Sequence, residues 1–201
     1  MKSGKKALLL ALCAVLLVAA TVMGTMAYLT ATTGPVVNTF TIGNIAITLD
    51  EAKVDLNGVK VEDASRVTEN LYKLVPSHEY AKDPTVHVDP NSENSYIFVK
   101  VENGIANFEA SNNKIADQIV HTYGWNELGT VSGVYYKMYT KGGDTEFKVF
   151  DHFTIADDAN TTDGWDSITN ASITVTAYAV QSDGITSPAD AWAAIPQNPG
   201  A

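Results

Sequence analysis

Histidines are the side chains whose charge changes near neutral pH and the commonest metal ligands. This sequence has four: His78, His87, His121 and His152. Zinc protease chemistry needs two of them on one helical face, spaced His-Glu-x-x-His. His78-Glu79 is instead followed by Tyr80, Ala81 and Lys82, so that spacing fails. Scattered histidines without a partner motif read as surface or hydrogen-bonded core residues. A hydrolase nucleophile elbow, Gly-x-Ser-x-Gly, does not occur. Paired carboxylates such as Asp50-Glu51 and Asp157-Asp158 are most simply solvated loops in so acidic a chain.

Calcium takes hard oxygen ligands, and the loop Asp157-Asp158-Ala-Asn160-Thr-Thr-Asp163-Gly164 offers them at Asp157, Asp158, Asn160 and Asp163. Asp89-Pro-Asn91-Ser-Glu93-Asn94 is a second oxygen-rich loop. Neither has EF-hand register: Gly164 comes one residue too late after Asp158, and no glutamate closes the loop. A plain polar turn is the simpler reading of both. No phosphate-binding loop or basic aromatic patch appears. Trp125, Trp165 and Trp192 could stack on sugars, but tryptophans in a sheet protein are more commonly buried.

The elements that would position these residues are mostly strands. From Ser172 to Gln181, Ile173, Val175, Ala177 and Ala179 alternate with Thr174, Thr176, Tyr178 and Val180, the period-two pattern of a sheet. Phe40 and Ile42 share one parity and Ile45, Ile47 and Leu49 the other, so the spacing predicts a β-bulge at Gly43-Asn44. Val54-Asp-Leu56 and Val59-Lys-Val61 flank Asn57-Gly58, which predicts a type I′ hairpin turn. Further strands are expected at Thr85 to Val88, Ser95 to Glu102, Val134 to Tyr139 and Glu146 to Ile155. Three short helices are expected. The first carries Ala64, Val67, Leu71 and Leu74 until Pro76 stops it, the second runs from Asn112 to Val120, and the third starts at Ser187-Pro188 and continues through Trp192 to about Ile195. At least seven strands at this spacing indicate an all-β fold, an antiparallel β-sandwich.

The N-terminus reads as an export signal. Lys2, Lys5 and Lys6 precede an apolar run from Ala7 to Ala20, and small residues at Thr25 and Ala27 suit cleavage between Ala27 and Tyr28. The run is short of the ~20 residues that span a bilayer, so membrane association is expected only through the uncleaved signal. The chain after the cut holds 10 Lys plus Arg against 23 Asp plus Glu, a formal net charge of −13. That charge argues against nucleic acid or anionic lipid as a partner. The one cysteine, Cys13, lies in the signal, which removes disulfides and thiol catalysis from the mature chain. The expected organisation is a signal over 1–27, an N-terminal uncharged segment over 28–38, a β-sandwich domain over 39–195 and a tail over 196–201.

Gly24-Thr25-Met26-Ala27 before the cut, then Asn38-Thr-Phe-Thr-Ile-Gly43-Asn44, resemble the TasA and camelysin group of Gram-positive biofilm-matrix proteins. Leu74-Val-Pro76 with Lys82-Asp83 downstream is similar to that group's Leu-x-Pro-Gly segment and following Lys-Asp, with Ser77 in place of the glycine. The resemblance implies a jelly-roll-like sandwich, cleavage by a SipW-type signal peptidase, and extracellular fibres. In such fibres an N-terminal segment of one subunit adds as a strand to the next, with other matrix proteins as further possible partners. It also brings a rival label, a surface metalloprotease, which the missing zinc motif does not support; a carbohydrate-binding jelly-roll module is a third reading. Independently of the resemblance, Tyr28-Leu-Thr-Ala-Thr-Thr-Gly-Pro-Val-Val-Asn38 has no charged residue. With Tyr28, Leu29, Val36 and Val37 as its apolar contacts and Gly34-Pro35 as a hinge, it suits pairing with a sheet edge, in a neighbouring subunit or in its own domain. The expected protein has no catalytic site and no cofactor apart from calcium as a possible ion.

Overall fold

A computed structural model describes residues 30–33, 45–159, 165, 168 and 171–196. Ten strands lie among them: β1 (Thr30–Thr33), β2 (Ile47–Asp50), β3 (Glu79–Ala81), β4 (Thr85–Val88), β5 (Ser95–Asn103), β6 (Asn126–Glu127), β7 (Val134–Tyr139), β8 (Glu146–Lys148), β9 (His152–Thr154) and β10 (Ile173–Gln181). They form sheets ordered β1-β10-β5-β7-β6, β2-β4-β8 and β3-β9, with every pairing antiparallel. Two short helices complete the described elements, α1 (Ile115–Asp117), which runs on as a π-turn through Gln118–Thr122, and α2 (Pro188–Ala193). The fold is all-β, and among the described residues no helix is long and apolar enough to cross a membrane.

The alternation read along β10 sets the layers. Val175, Ala177 and Ala179 turn inward beside Ile97 and Val99 of β5, and meet Ile47, Val86, Val88 and Phe147 from the three-stranded sheet in the main core. The opposite face carries Phe98, Val134 and Val180, on which α2 docks through Ala191 and Trp192. Trp192 stands 5.4 Å from Phe98 and 5.3 Å from Tyr178, ring centre to ring centre. Ser187 caps α2 by accepting from the Asp190 N–H, with Pro188 at the first helical position.

Four expectations are corrected. Residues 64–74 are not helical: Val67 bridges Glu51 backbone to backbone, the Lys73 N–H donates to the Leu56 carbonyl, and Leu71 is 78% exposed. Long-range hydrogen bonds take the place of helical ones there, which a 3-4-3 apolar spacing cannot register. The turn at Asn57-Gly58 is not type I′, because of the two only Gly58 has positive φ, at +75°. Gly58 N–H donates to the Asp55 carbonyl, and the Asp55 carboxylate accepts from the N–H groups of Asn57 and Val59, so the turn centres on Leu56-Asn57 with Gly58 as the left-handed residue after it. The strand expected over Glu146 to Ile155 breaks into β8 and β9. Val149 donates to Pro84 and the Asp151 carbonyl accepts from Lys82, carrying the chain from one sheet to another across the buried Val149-Phe150. The middle helix begins later than expected, at Ile115.

Residues 1–27, the bulge at Gly43-Asn44 and the tail beyond Pro196 lie outside the described residues.

Candidate functional site

Of the uncharged N-terminal segment, the four residues Thr30–Thr33 are described as β1. They pair with the closing strand of the same chain, Thr30 opposite Val180 and Thr33 opposite Ala177. Among the described strands β1 is therefore an edge strand, and β10 lies between it and β5. Tyr28, Leu29, Val36 and Val37, like Ala27 at the expected cut, lie outside the described residues.

The acidic loop gives two described members, Asp157 and Asp158, on an exposed turn after the Glu109–Ile155 bridge; Asn160 and Asp163 lie outside the described residues. Among the described residues no three His, Cys, Asp or Glu side chains converge as ligands for a metal ion.

Each histidine has its own setting. His78 contacts the Asn57 carbonyl through Nε2 at 2.8 Å and stands edge-on to Tyr80. His87 on β4 sits between Asp50, 2.9 Å from Nε2, and Glu146, 3.6 Å from Nδ1. His121 lies exposed in the π-turn. His152 is held between the Asp151 carboxylate at Nδ1 and the Asn113 amide at Nε2. An aspartate on one ring nitrogen is how a general base is oriented, but among the described residues no serine, threonine or cysteine hydrogen-bonds the ring of His152. Burial and the Asp151 charge push the neighbouring Tyr123 hydroxyl up to about 12.

Sequence reasoning missed a buried charge network that ties residues 50–70 to the sheets. Lys82 Nζ donates to Glu51 Oε2 at 2.5 Å, with side-chain exposures of 10% and 5%. Glu51 Oε1 accepts from the Asn70 amide at 2.8 Å, and Asn70 also donates to the Ala52 carbonyl and accepts from the Val54 N–H. One residue on, Asp83 accepts from the Ala52 N–H and from Lys60 Nζ, both at 2.7 Å. Arg66 joins Asp50, the Asp83 carbonyl and Thr85. Burial raises the Asp83 carboxyl, yet the Lys60 and Ala52 hydrogen bonds and the Arg66 charge outweigh it and hold the group below the ordinary carboxylate range. Lys82-Asp83 was visible only through the resemblance; nothing in its spacing announces a buried pair. Tyr72, whose hydroxyl donates to Ala81, is raised by burial and then by the Glu51 and Asp83 charges.

Beside this network lies a cavity of about 1000 Å³ between residues 68–74 and the first residues of β10, bounded by Leu49, Tyr72, Leu74, Trp165 and Ile173, with Glu51 and Lys82 on its wall. Of the three tryptophans, Trp125 is buried with its indole donating to the Lys148 carbonyl and Trp192 is buried between α2 and the sheet, while Trp165 is half-buried against Phe108. Compared with protein-family models, with curated proteins and with solved structures, the chain matches none.

Proposed function

We propose that this chain is an exported structural protein, a fibre-forming subunit of an extracellular or biofilm matrix, assembling by β-strand addition on a jelly-roll-like sandwich. The observation that carries the reading is the position of β1. A stretch drawn from eleven residues without a charge, in a chain of net −13 after the expected cut, is an edge strand on β10 among the described strands. Main-chain hydrogen bonds make up such pairing, so an identical segment from a second subunit satisfies the same edge at no loss of bonds. Gly34-Pro35 follows Thr33 directly in sequence, which supports a hinge at the end of that strand. Before cleavage the segment is tethered to the signal, so processing at Ala27-Tyr28 by a SipW-type peptidase would free it to exchange. The protein then works outside the cell, with other copies of itself as its first partner and without a catalytic step.

Electron microscopy of the chain beginning at Tyr28, beside a variant lacking residues 28–38, tests this. Fibres from the first and monomers from the second are the expected result. Equal fibres from both, or monomers from both under fibre-promoting conditions, would sink strand donation by this segment.

A further inference from the structure

We propose that the cavity between residues 68–74 and the start of β10 binds a small uncharged amphiphile, an apolar molecule carrying a hydroxyl or carbonyl oxygen. Its volume, about 1000 Å³, is at the upper end of small-molecule sites. Its walls are side chains that belong to the core by type and direction. Leu49, Tyr72, Leu74, Trp165 and Ile173 all pack against the main core cluster, yet each remains only half-buried. The β2 end and the β10 start both line the cavity, so apolar surface of both strands faces it. An apolar body of matching size removes that surface from water, the main source of affinity in such sites.

The polar end of the ligand follows from Lys82. An ammonium has three N–H donors. Among the described residues Lys82 Nζ gives one of them to Glu51 Oε2 and has no second side-chain or carbonyl acceptor, although its side chain is only 10% exposed. Buried donors without acceptors are costly, so a ligand oxygen beside Lys82 is favoured. Charge then selects among heads. Glu51 already neutralises Lys82, Arg66 neutralises Asp50, and Glu69 and Lys73 balance on the wall, so a charged head of either sign gives up its hydration for no net attraction. A quaternary ammonium head, besides, offers no acceptor to the Lys82 ammonium. A neutral oxygen suits the site on both counts.

Calorimetric titration of the chain beginning at Tyr28 with three probes of one tail length, decanol, decanoate and decyltrimethylammonium, each below its aggregation concentration, reads the head preference. Decanol is expected to bind saturably and at least about tenfold more tightly than either ion, a gap of the size of one hydrogen bond to a charged donor. Ile173→Trp, which fills the cavity, is expected to weaken decanol at least about tenfold; Leu74→Trp fills it from the opposite wall if the first variant does not fold. The double variant E51Q/K82M, which removes the ammonium without stranding a charge, is expected to lose the preference for decanol. Absence of saturable binding for all three probes, tightest binding of either ion, or full decanol affinity in a folded cavity-filled variant would each overturn the proposal. Binding of decanol only after deletion of residues 28–38 would also overturn it, by assigning the cavity to the chain's own N-terminal segment.

Discussion

The Lys82 ammonium and the Glu51 carboxylate, 31 residues apart in sequence, meet at 2.5 Å with both side chains at least nine-tenths buried. Such a pair roughly offsets its own desolvation while intact, but losing either partner leaves a buried charge. Glu51→Gln alone or Lys82→Met alone is expected to cost about 3–5 kcal/mol in urea unfolding. The double variant E51Q/K82M is expected to recover most of that loss. Additive losses in the double variant would show that the two side chains are not coupled.

Asp83 gives the molecule an acid-sensitive element. Burial opposes its ionised form, but Lys60, the Ala52 N–H and Arg66 win, so its folded pKa lies below the unfolded value. A depressed carboxyl contributes stability that is present above the unfolded pKa, roughly 3.9, and is lost as pH falls through the folded value. Glu109 is shifted by burial in the opposite direction, so its contribution is lost as pH rises through its folded pKa. Denaturant midpoints between pH 2 and 7 are expected to show a smaller acid-side decline in Asp83→Asn, which starts lower at pH 7. An unchanged slope in that variant would remove Asp83 from the account of acid sensitivity.

Two turn residues make opposite predictions about glycine. Gly58 has φ +75°, and a Cβ there would lie 2.7 Å from the Tyr80 Cα. Gly58→Ala therefore combines backbone strain with a clash against backbone and is expected to cost about 2 kcal/mol or more. Ser77 occupies the left-handed region at φ +60°, following Pro76 in the turn that His78 closes on the Val75 carbonyl. Glycine is the residue suited to that position, and Ser77→Gly is expected to stabilise by about 1 kcal/mol. Thermal unfolding of the two variants checks both signs.

Residues 70 and 71 separate the observed extended strap from a helix. Asn70 holds Val54, Ala52 and Glu51 through its side-chain amide. Asn70→Ala strands those groups and is expected to cost about 2 kcal/mol. Leu71 points to solvent, so Leu71→Ala is expected to stay within about 0.5 kcal/mol. A large loss at Leu71, as for a helix docked by that residue, would contradict the strap.

The sequence by itself determined the regular strands. Thr85–Val88 and Val134–Tyr139 coincide with the expected bounds, and the closing strand runs from Ile173 to Gln181 as its alternation indicates. Side-chain period and the Ser187-Pro188 cap are local signals, because each depends on neighbours within a few residues. What only the tertiary structure decided depends on distant partners. Residues 64–74 carry a helical spacing, yet Glu51, Leu56 and Tyr80 draw their backbone groups into an extended path. The continuous pattern from Glu146 to Ile155 changes sheets because Pro84 and Lys82 claim its backbone midway. Two acidic residues that read as a solvated loop, Asp50-Glu51, became anchors for Arg66 and Lys82. A carboxylate's neighbours in sequence do not reveal whether a cation from another strand will neutralise it, and that pairing is what allowed Glu51 to be buried.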